Sequence, residues 1–180
     1  MNISKVKTSI KIGDFYLKEN SPNFIGINYC VDNSILKNED GRVYLICSDN
    51  LIKKIGGSQS KGGIKSTISF YVNSMQGSPG KPRFIIHLLI RDELLLGKKC
   101  DIHMITSPKV KAQINGLFIS KDKEIAAFKE MEDLCKKDYF DKLSRYPEWN
   151  FQENSIPYPS DYSMEHVKYH ENRINNNTEK

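Results

Sequence analysis

Two apolar runs joined by a short polar break form the most regular stretch of the chain. Arg42-Val43-Tyr44-Leu45-Ile46-Cys47 is β-rich, Ser48-Asp49-Asn50 has turn composition, and Leu51-Ile52-Lys53-Lys54-Ile55-Gly56 is a second apolar run. A short turn between two such runs predicts an antiparallel hairpin. Upstream, Ile10-Lys11-Ile12 and Phe24-Ile25-Gly26-Ile27 read as short strands, with turn-like segments at Glu19–Asn23 and Asn38–Gly41. Downstream, residues 56–66 read as a glycine-rich basic loop and Gly77–Arg83 as a second loop. Pro82 suits a helix start, and Phe84–Leu96 predicts a largely buried helix ended by Gly97. Asp101–Thr106 alternates as a half-buried strand does, and Val110–Ile119 reads as another strand. Lys121–Lys142 is the clearest helix, with Ile125, Phe128, Met131, Leu134 and Cys135 at helical spacing. The end of the chain, Asn172–Lys180, reads as frayed.

These elements predict an α+β fold in which a small central β-sheet is flanked by helices. The length of 180 residues suits one domain with a real core. With 27 basic and 22 acidic residues the net charge is +5, which permits a polyanionic partner without demanding one. The longest apolar stretch, Phe84–Ile90, is far short of the roughly 20 residues a bilayer span requires. Lys5, Lys7 and Lys11 precede no continuous apolar stretch, so neither a membrane span nor a secretory leader is expected, and the protein is expected in the cytoplasm. Cys30, Cys47, Cys100 and Cys135 are scattered, with no CxxC pair, and read as reduced, mostly buried thiols.

The candidate chemistry lies at the ends of these elements. Val43-Tyr44-Leu45 and, ten residues later, Lys54-Ile55-Gly56 resemble the two signature motifs of the GIY-YIG nucleases, with Lys54 where the second motif usually begins with Tyr. Lys65, nine residues beyond Gly56, takes the place where that family usually carries Arg. Glu132, on the long helix, resembles the family's metal-binding Glu, and Asn150, in Pro147-Glu148-Trp149-Asn150, its terminal Asn. The resemblance spans residues 41–152 and is strongest toward the family's small type II restriction endonucleases. It implies a nuclease core over 41–152, with residues 1–40 and 153–180 as flanking DNA-binding or dimerisation extensions. It also implies a metal-dependent endonuclease cutting double-stranded DNA.

Phosphodiester hydrolysis needs an activated water, charge neutralisation on the phosphate and help for the leaving oxygen. Tyr44 on a rigid strand would serve as base or relay; a base role requires its pKa, near 10 when free, to be lowered by a neighbouring cation such as Lys54. Lys65 would hold the phosphate, although as a point charge it cannot grip two oxygens as Arg does, which leaves Arg83 or Lys61 as alternatives. Glu132 would hold one Mg²⁺ or Mn²⁺, with Asn150 positioning that assembly. Taken singly, each residue has an ordinary role: a packed strand tyrosine, solvated lysines, a helix acid paired with Lys129 or Lys136, a turn asparagine. Only their order lifts them above it.

Gln59, Asn73, Gln76 and Arg83 read as loop residues able to reach base edges, while Lys61, Lys65, Lys81 and Arg83 are candidate phosphate contacts. His166 and His170 share a helix face, but the Glu stands outside the pair, unlike the metalloprotease pattern, so they read as exposed tail histidines. His87 and His103 read as core histidines. Cutting both strands of a palindromic site implies a homodimer. Two other readings stay open: a mobile-element, repair or toxin nuclease acting on DNA or RNA, and a binding module that has lost activity.

Overall fold

The computed structural model describes residues 1–178. Strands β1 (Ile10–Leu17), β2 (Ile25–Tyr29), β3 (Gly41–Ser48), β4 (Leu51–Ser58) and β5 (Cys100–Ser107) form one antiparallel sheet in the order β2-β1-β5-β3-β4. The expected hairpin is β3–β4. Its two-residue turn, Asp49-Asn50, has φ of 46° and 63°, the mirror-image turn whose twist matches that of paired strands. Ile10–Tyr29 supplies two strands of the sheet, so the segment 1–40 is built into it.

β3 is buried along its whole length, which explains its unbroken apolar run: the sheet is covered on both faces there. Tyr44 and Ile46 face α2 (Gly63–Val72) and α3 (Lys81–Leu95), joining Ile12, Ile102, Met104, Ile64, Ile68 and Ile86 in one core. Val43, Leu45 and Cys47 face the opposite way into a smaller core with Ile52, Ile55 and Tyr139. Tyr139 belongs to α4 (Phe128–Leu143), which packs on β3 and β4. A single turn, α1 (Asn33–Leu36), meets α2, and α5 (Ser160–Thr178) lies against α3. The fraying expected over Asn172–Lys180 falls partly outside the described residues. Among the described residues no helix is long and apolar enough to cross a membrane.

Three stretches differ from the sequence reading. The helix expected to begin at Lys121 begins at Phe128, because Ser120–Ile125 is a strand, β7, paired with β6 (Val110–Asn115). Every β7 residue is exposed, so no burial periodicity announces the strand, and Ile125 had joined the helical pattern by coincidence of spacing. The pairing places Lys111 opposite Glu124, a favourable cross-strand charge pair. Val110–Ile119 is likewise not one strand: Leu117 and Phe118, at the hairpin tip, are 93% and 94% exposed. The glycine-rich loop is also shorter than expected. Gly56 and Gly57 end β4 and Gly63 opens α2, whose apolar positions Ile64, Ile68, Tyr71 and Val72 are helically spaced. Glycines at its start masked that spacing.

Candidate active site

An open cleft of about 250 Å³ lies at the outer edge of β4. Tyr44, Lys54, Gly56, Gly57, Tyr71, Glu132, Lys136 and Glu153 line it, with the aromatic side chains of Trp149, Phe151 and Tyr158. Three residues singled out in the sequence, Tyr44, Lys54 and Glu132, therefore converge from β3, β4 and α4.

The two glycines make the convergence possible. Gly56 pairs directly with Tyr44, and a Cβ there would overlap the Tyr44 Cζ and Oη. Gly57 pairs with Val43 and so faces α4; a Cβ there would sit 2.5 Å from Glu132 Oε2. Without side chains, β4 lets the Tyr44 ring lie across one face while the Glu132 carboxylate approaches from the other.

Tyr44 Oη lies 2.6 Å from Tyr71 Oη, both buried, with the rings edge-on at 6.0 Å. Burial pushes the Tyr44 phenol well above its ordinary pKa, with Tyr71 and Glu132 adding to the rise and Arg83 opposing it. Tyr71 is raised for the same first reason, opposed by its bond to Tyr44 and by Arg83. The pair is thus two neutral phenols sharing a hydrogen bond. Lys54 was expected to lower Tyr44; the cation acting on the pair is Arg83 instead. Burial lowers the pKa of half-buried Lys54, with Glu153 and Glu132 resisting and Lys136 adding to the fall.

Glu132 Oε1 accepts from Lys136 Nζ at 2.6 Å, and Lys136 also bonds Glu153. Burial works to lower Lys136, but its bonds to the two carboxylates outweigh it and raise the amine. Burial works to raise Glu153, but hydrogen bonds from Lys136 and the backbone outweigh it and lower the carboxyl. These are hard oxygen donors at the rim of a wet cleft, and they fit a cation that binds through few carboxylates and keeps its waters. Glu132, with Glu153 beside it, would hold such an ion in place of the Lys136 ammonium.

Asn150 is fully buried and serves both the strand and the carboxylates: it bonds the Ile55 backbone and also hydrogen-bonds Glu153, which shares Lys136 with Glu132. Asn150 Oδ1 accepts from Ile55 N–H at 2.9 Å and its Nδ2 donates to Ile55 C=O at 3.0 Å. Trp149 N–H donates to Lys53 C=O at 2.8 Å. Together they close the outer edge of β4 from Lys53 to Ile55.

Lys65 stands on α2, not on a loop, and is exposed with its ammonium 6.0 Å from the Tyr29 ring centroid. It does not line the cleft. Arg83 is also helical, in the first turn of α3, with its guanidinium 4.1 Å from the Phe70 ring. Lys81, in the same turn, lies 5.7 Å from the Tyr158 ring. Asn73, Gln76 and Arg83 share a second open depression, while Gln59 and Lys61 sit on the β4–α2 loop. His87 is a core histidine, whose Nδ1–H donates to Tyr71 C=O at 2.7 Å. His103 lies on the sheet face away from Tyr44. His166 and His170 are half-buried rather than exposed, their Nε2 atoms 3.1 Å apart and both close to Pro79 C=O.

Tyr71, Lys136 and Glu153 escaped the sequence reading as members of the cleft. Lys136 had a signal, since it lies one helical turn from Glu132. Tyr71 was hidden with α2.

No protein-family model matches the chain, and no curated protein matches it. Several solved chains are similar in structure, two of them as follows. A mutant of bacteriophage T4 EndoII superposes with a TM-score of 0.55 at 16% identity, over 83% of this chain and 98% of that one. Restriction endonuclease HPY188I in complex with product DNA gives a TM-score of 0.49 at 15% identity, over 82% and 84%. The likeness to EndoII is one of fold.

Proposed function

We propose that the protein is a metal-dependent endonuclease of the GIY-YIG type that cuts double-stranded DNA at specific sites, as restriction enzymes do. The observation that carries this reading is the convergence of Tyr44, Lys54 and Glu132 around the two glycines of β4. The fold shared with T4 EndoII supports it. In this reading the nuclease core 41–152, joined by Glu153 from the following segment, holds the chemistry, the protein works in the cytoplasm, and a homodimer cuts the two strands of a palindromic site.

The neutral Tyr44–Tyr71 pair suits a relay better than a free base. The Tyr44 hydroxyl takes a proton from the attacking water as it passes its own to a non-bridging phosphate oxygen, and the Tyr71 bond fixes the direction of the hydroxyl. Lys54 places positive charge against the phosphate within the cleft. Neither Lys65 nor Arg83 lines the cleft, but Arg83, whose charge acts on the Tyr44–Tyr71 pair, is the alternative clamp, with a planar fork suited to two phosphate oxygens. Glu132, with Glu153, would hold Mg²⁺ or Mn²⁺, which would supply charge stabilisation for the leaving oxygen. Asn150 is a positioning residue that keeps Lys54 and Gly56 in register with Tyr44. Lys61 and Lys81 contribute salt-dependent phosphate contacts, while Asn73, Gln76, Gln59 and Arg83 are placed to read base edges.

The test is incubation of purified protein with plasmid and genomic DNA, in Mg²⁺ and in EDTA, alongside Glu132→Ala and Tyr44→Phe. Discrete fragments that require Mg²⁺ and disappear in both variants support the proposal. A smear would move the reading to a nonspecific or toxin nuclease, with RNA tried next. Salt-sensitive DNA binding without any cleavage would leave a binding module.

A further inference from the structure

The sheet face opposite Tyr44 carries a cluster that the proposed chemistry does not use. Cys47 on β3 pairs directly with Asp101 on β5, and His103 follows two residues later on the same face. One donor atom from each, a thiol sulfur, a carboxylate oxygen and an imidazole nitrogen, lies within 4.8 Å of the others. Cys47 is wholly buried, Asp101 is 7% exposed and the His103 side chain 13%.

The hydrogen-bond inventory around them is incomplete in one direction only. Asp101 Oδ2 faces Lys11 Nζ at 3.5 Å, and Lys11 is shared with Asp14 at 2.6 Å. The other oxygen, Oδ1, is buried without a hydrogen-bond partner, and so is His103 Nε2, 3.6 Å away. The two atoms meet only as a long ion pair, beyond normal hydrogen-bond length, beside a buried thiol, which leaves both poorly satisfied. One partner satisfies all three at once: a cation bonded to sulfur, nitrogen and oxygen. The mixed donor set fits the borderline-soft Zn²⁺, whose sites combine Cys, His and carboxylate, and argues against Mg²⁺, which prefers oxygen alone. Lys11 would then act as an outer partner that holds the second carboxylate oxygen.

We propose that Cys47, Asp101 and His103 form a zinc-type site, made by β3 and β5 and sharing no residue with the Glu132 cleft at the β4 edge. Binding displaces the thiol proton. Its role is structural: it staples β3, which carries Tyr44, to its neighbour β5. The site stands whether or not the chain is a nuclease.

Cobalt(II) is the probe, because a Co²⁺–thiolate bond produces a near-ultraviolet charge-transfer band that carboxylate and histidine sites lack. Metal-stripped protein should develop that band with saturation at one equivalent, and Zn²⁺ should bleach it. Cys47→Ser should abolish it, while Glu132→Ala should keep it. Zn²⁺ at a hundredfold excess over its Kd should raise Tm by about 5–10 °C in the parent protein. Should Cys47→Ser fail to fold, His103→Ala gives a second reading, with cobalt affinity reduced at least tenfold and the circular dichroism unchanged. Absence of the band, its persistence in folded Cys47→Ser, or unchanged affinity in His103→Ala overturns the site.

Discussion

Gly56 and Gly57 are neighbours on one strand with separate duties, and single methyl groups should tell those duties apart. Gly56→Ala drives a Cβ into the Tyr44 ring, which is packed in the core and cannot retreat. Overpacking of this kind costs about 1–3 kcal/mol, so urea unfolding should show that loss together with lost cleavage. Gly57→Ala meets the mobile end of Glu132 and the edge of Phe128. The carboxylate can swing away, so stability should fall less, whereas cleavage should fall by about a hundredfold through misplacement of Glu132. Equal losses of stability in the two variants would contradict the division. Tyr44, Lys54 and Glu132 were legible in the sequence, the first two because strand pairing converts spacing into geometry. Lys65 was misleading for the complementary reason: its position on α2 turns it toward Tyr29, and spacing from Gly56 says nothing about the direction of a helix.

At the level of elements, the hairpin β3–β4 could be read from its turn and its β-rich flanks, while α2 could not, because its apolar positions follow glycines. The helix matters because it brings Tyr71 to Tyr44, and α3 holds it there through His87. Burial drives the His87 imidazole down from 6.5 to about 4. Its folded pKa lies below its unfolded one, so the unfolded chain takes up a proton that the folded chain refuses. No stability is lost above about pH 6.5, and the full cost of about 3 kcal/mol is reached below about pH 4. Urea unfolding at pH 7 and pH 4.5 checks this: the parent should lose about 2–3 kcal/mol more between the two than His87→Gln does. The same acidification should impair cleavage before global unfolding, since the α2–α3 contact is the one that loosens. If His87→Gln and the parent show the same acid slope, His87 is not the group responsible.

The whole molecule closes its site from a distance. The outer edge of β4 would present bare N–H and C=O groups, a liability for any sheet, and Trp149 and Asn150 cover it from 95 residues away in the case of Ile55. Asn150→Ala removes both partners of the Ile55 peptide groups, for a loss of about 1–3 kcal/mol in unfolding free energy. Asn150→Asp keeps the acceptor for Ile55 N–H but cannot donate to its carbonyl, so it should fall between the two. In both variants cleavage should drop while salt-dependent DNA binding persists, as titration of affinity against salt would show. The sequence offered Asn150 as a companion of Glu132; the folded chain adds its bonds to Ile55 and to Glu153, which no local pattern announces because the Ile55 contact spans 95 residues.

That span also sets a timetable. As the chain is synthesised, Tyr44 and Lys54 emerge early and can pair in a local hairpin, but the edge that fixes their register stays open until residue 150 is free to reach it. Long-range closures carry the larger loss of chain entropy and form late. A nascent or truncated chain ending before Trp149 would therefore possess the motif residues without a working cleft. Under the proposed function, the cleft would become competent only after Trp149 and Asn150 have left the ribosome, and a shorter nascent chain would lack a working site.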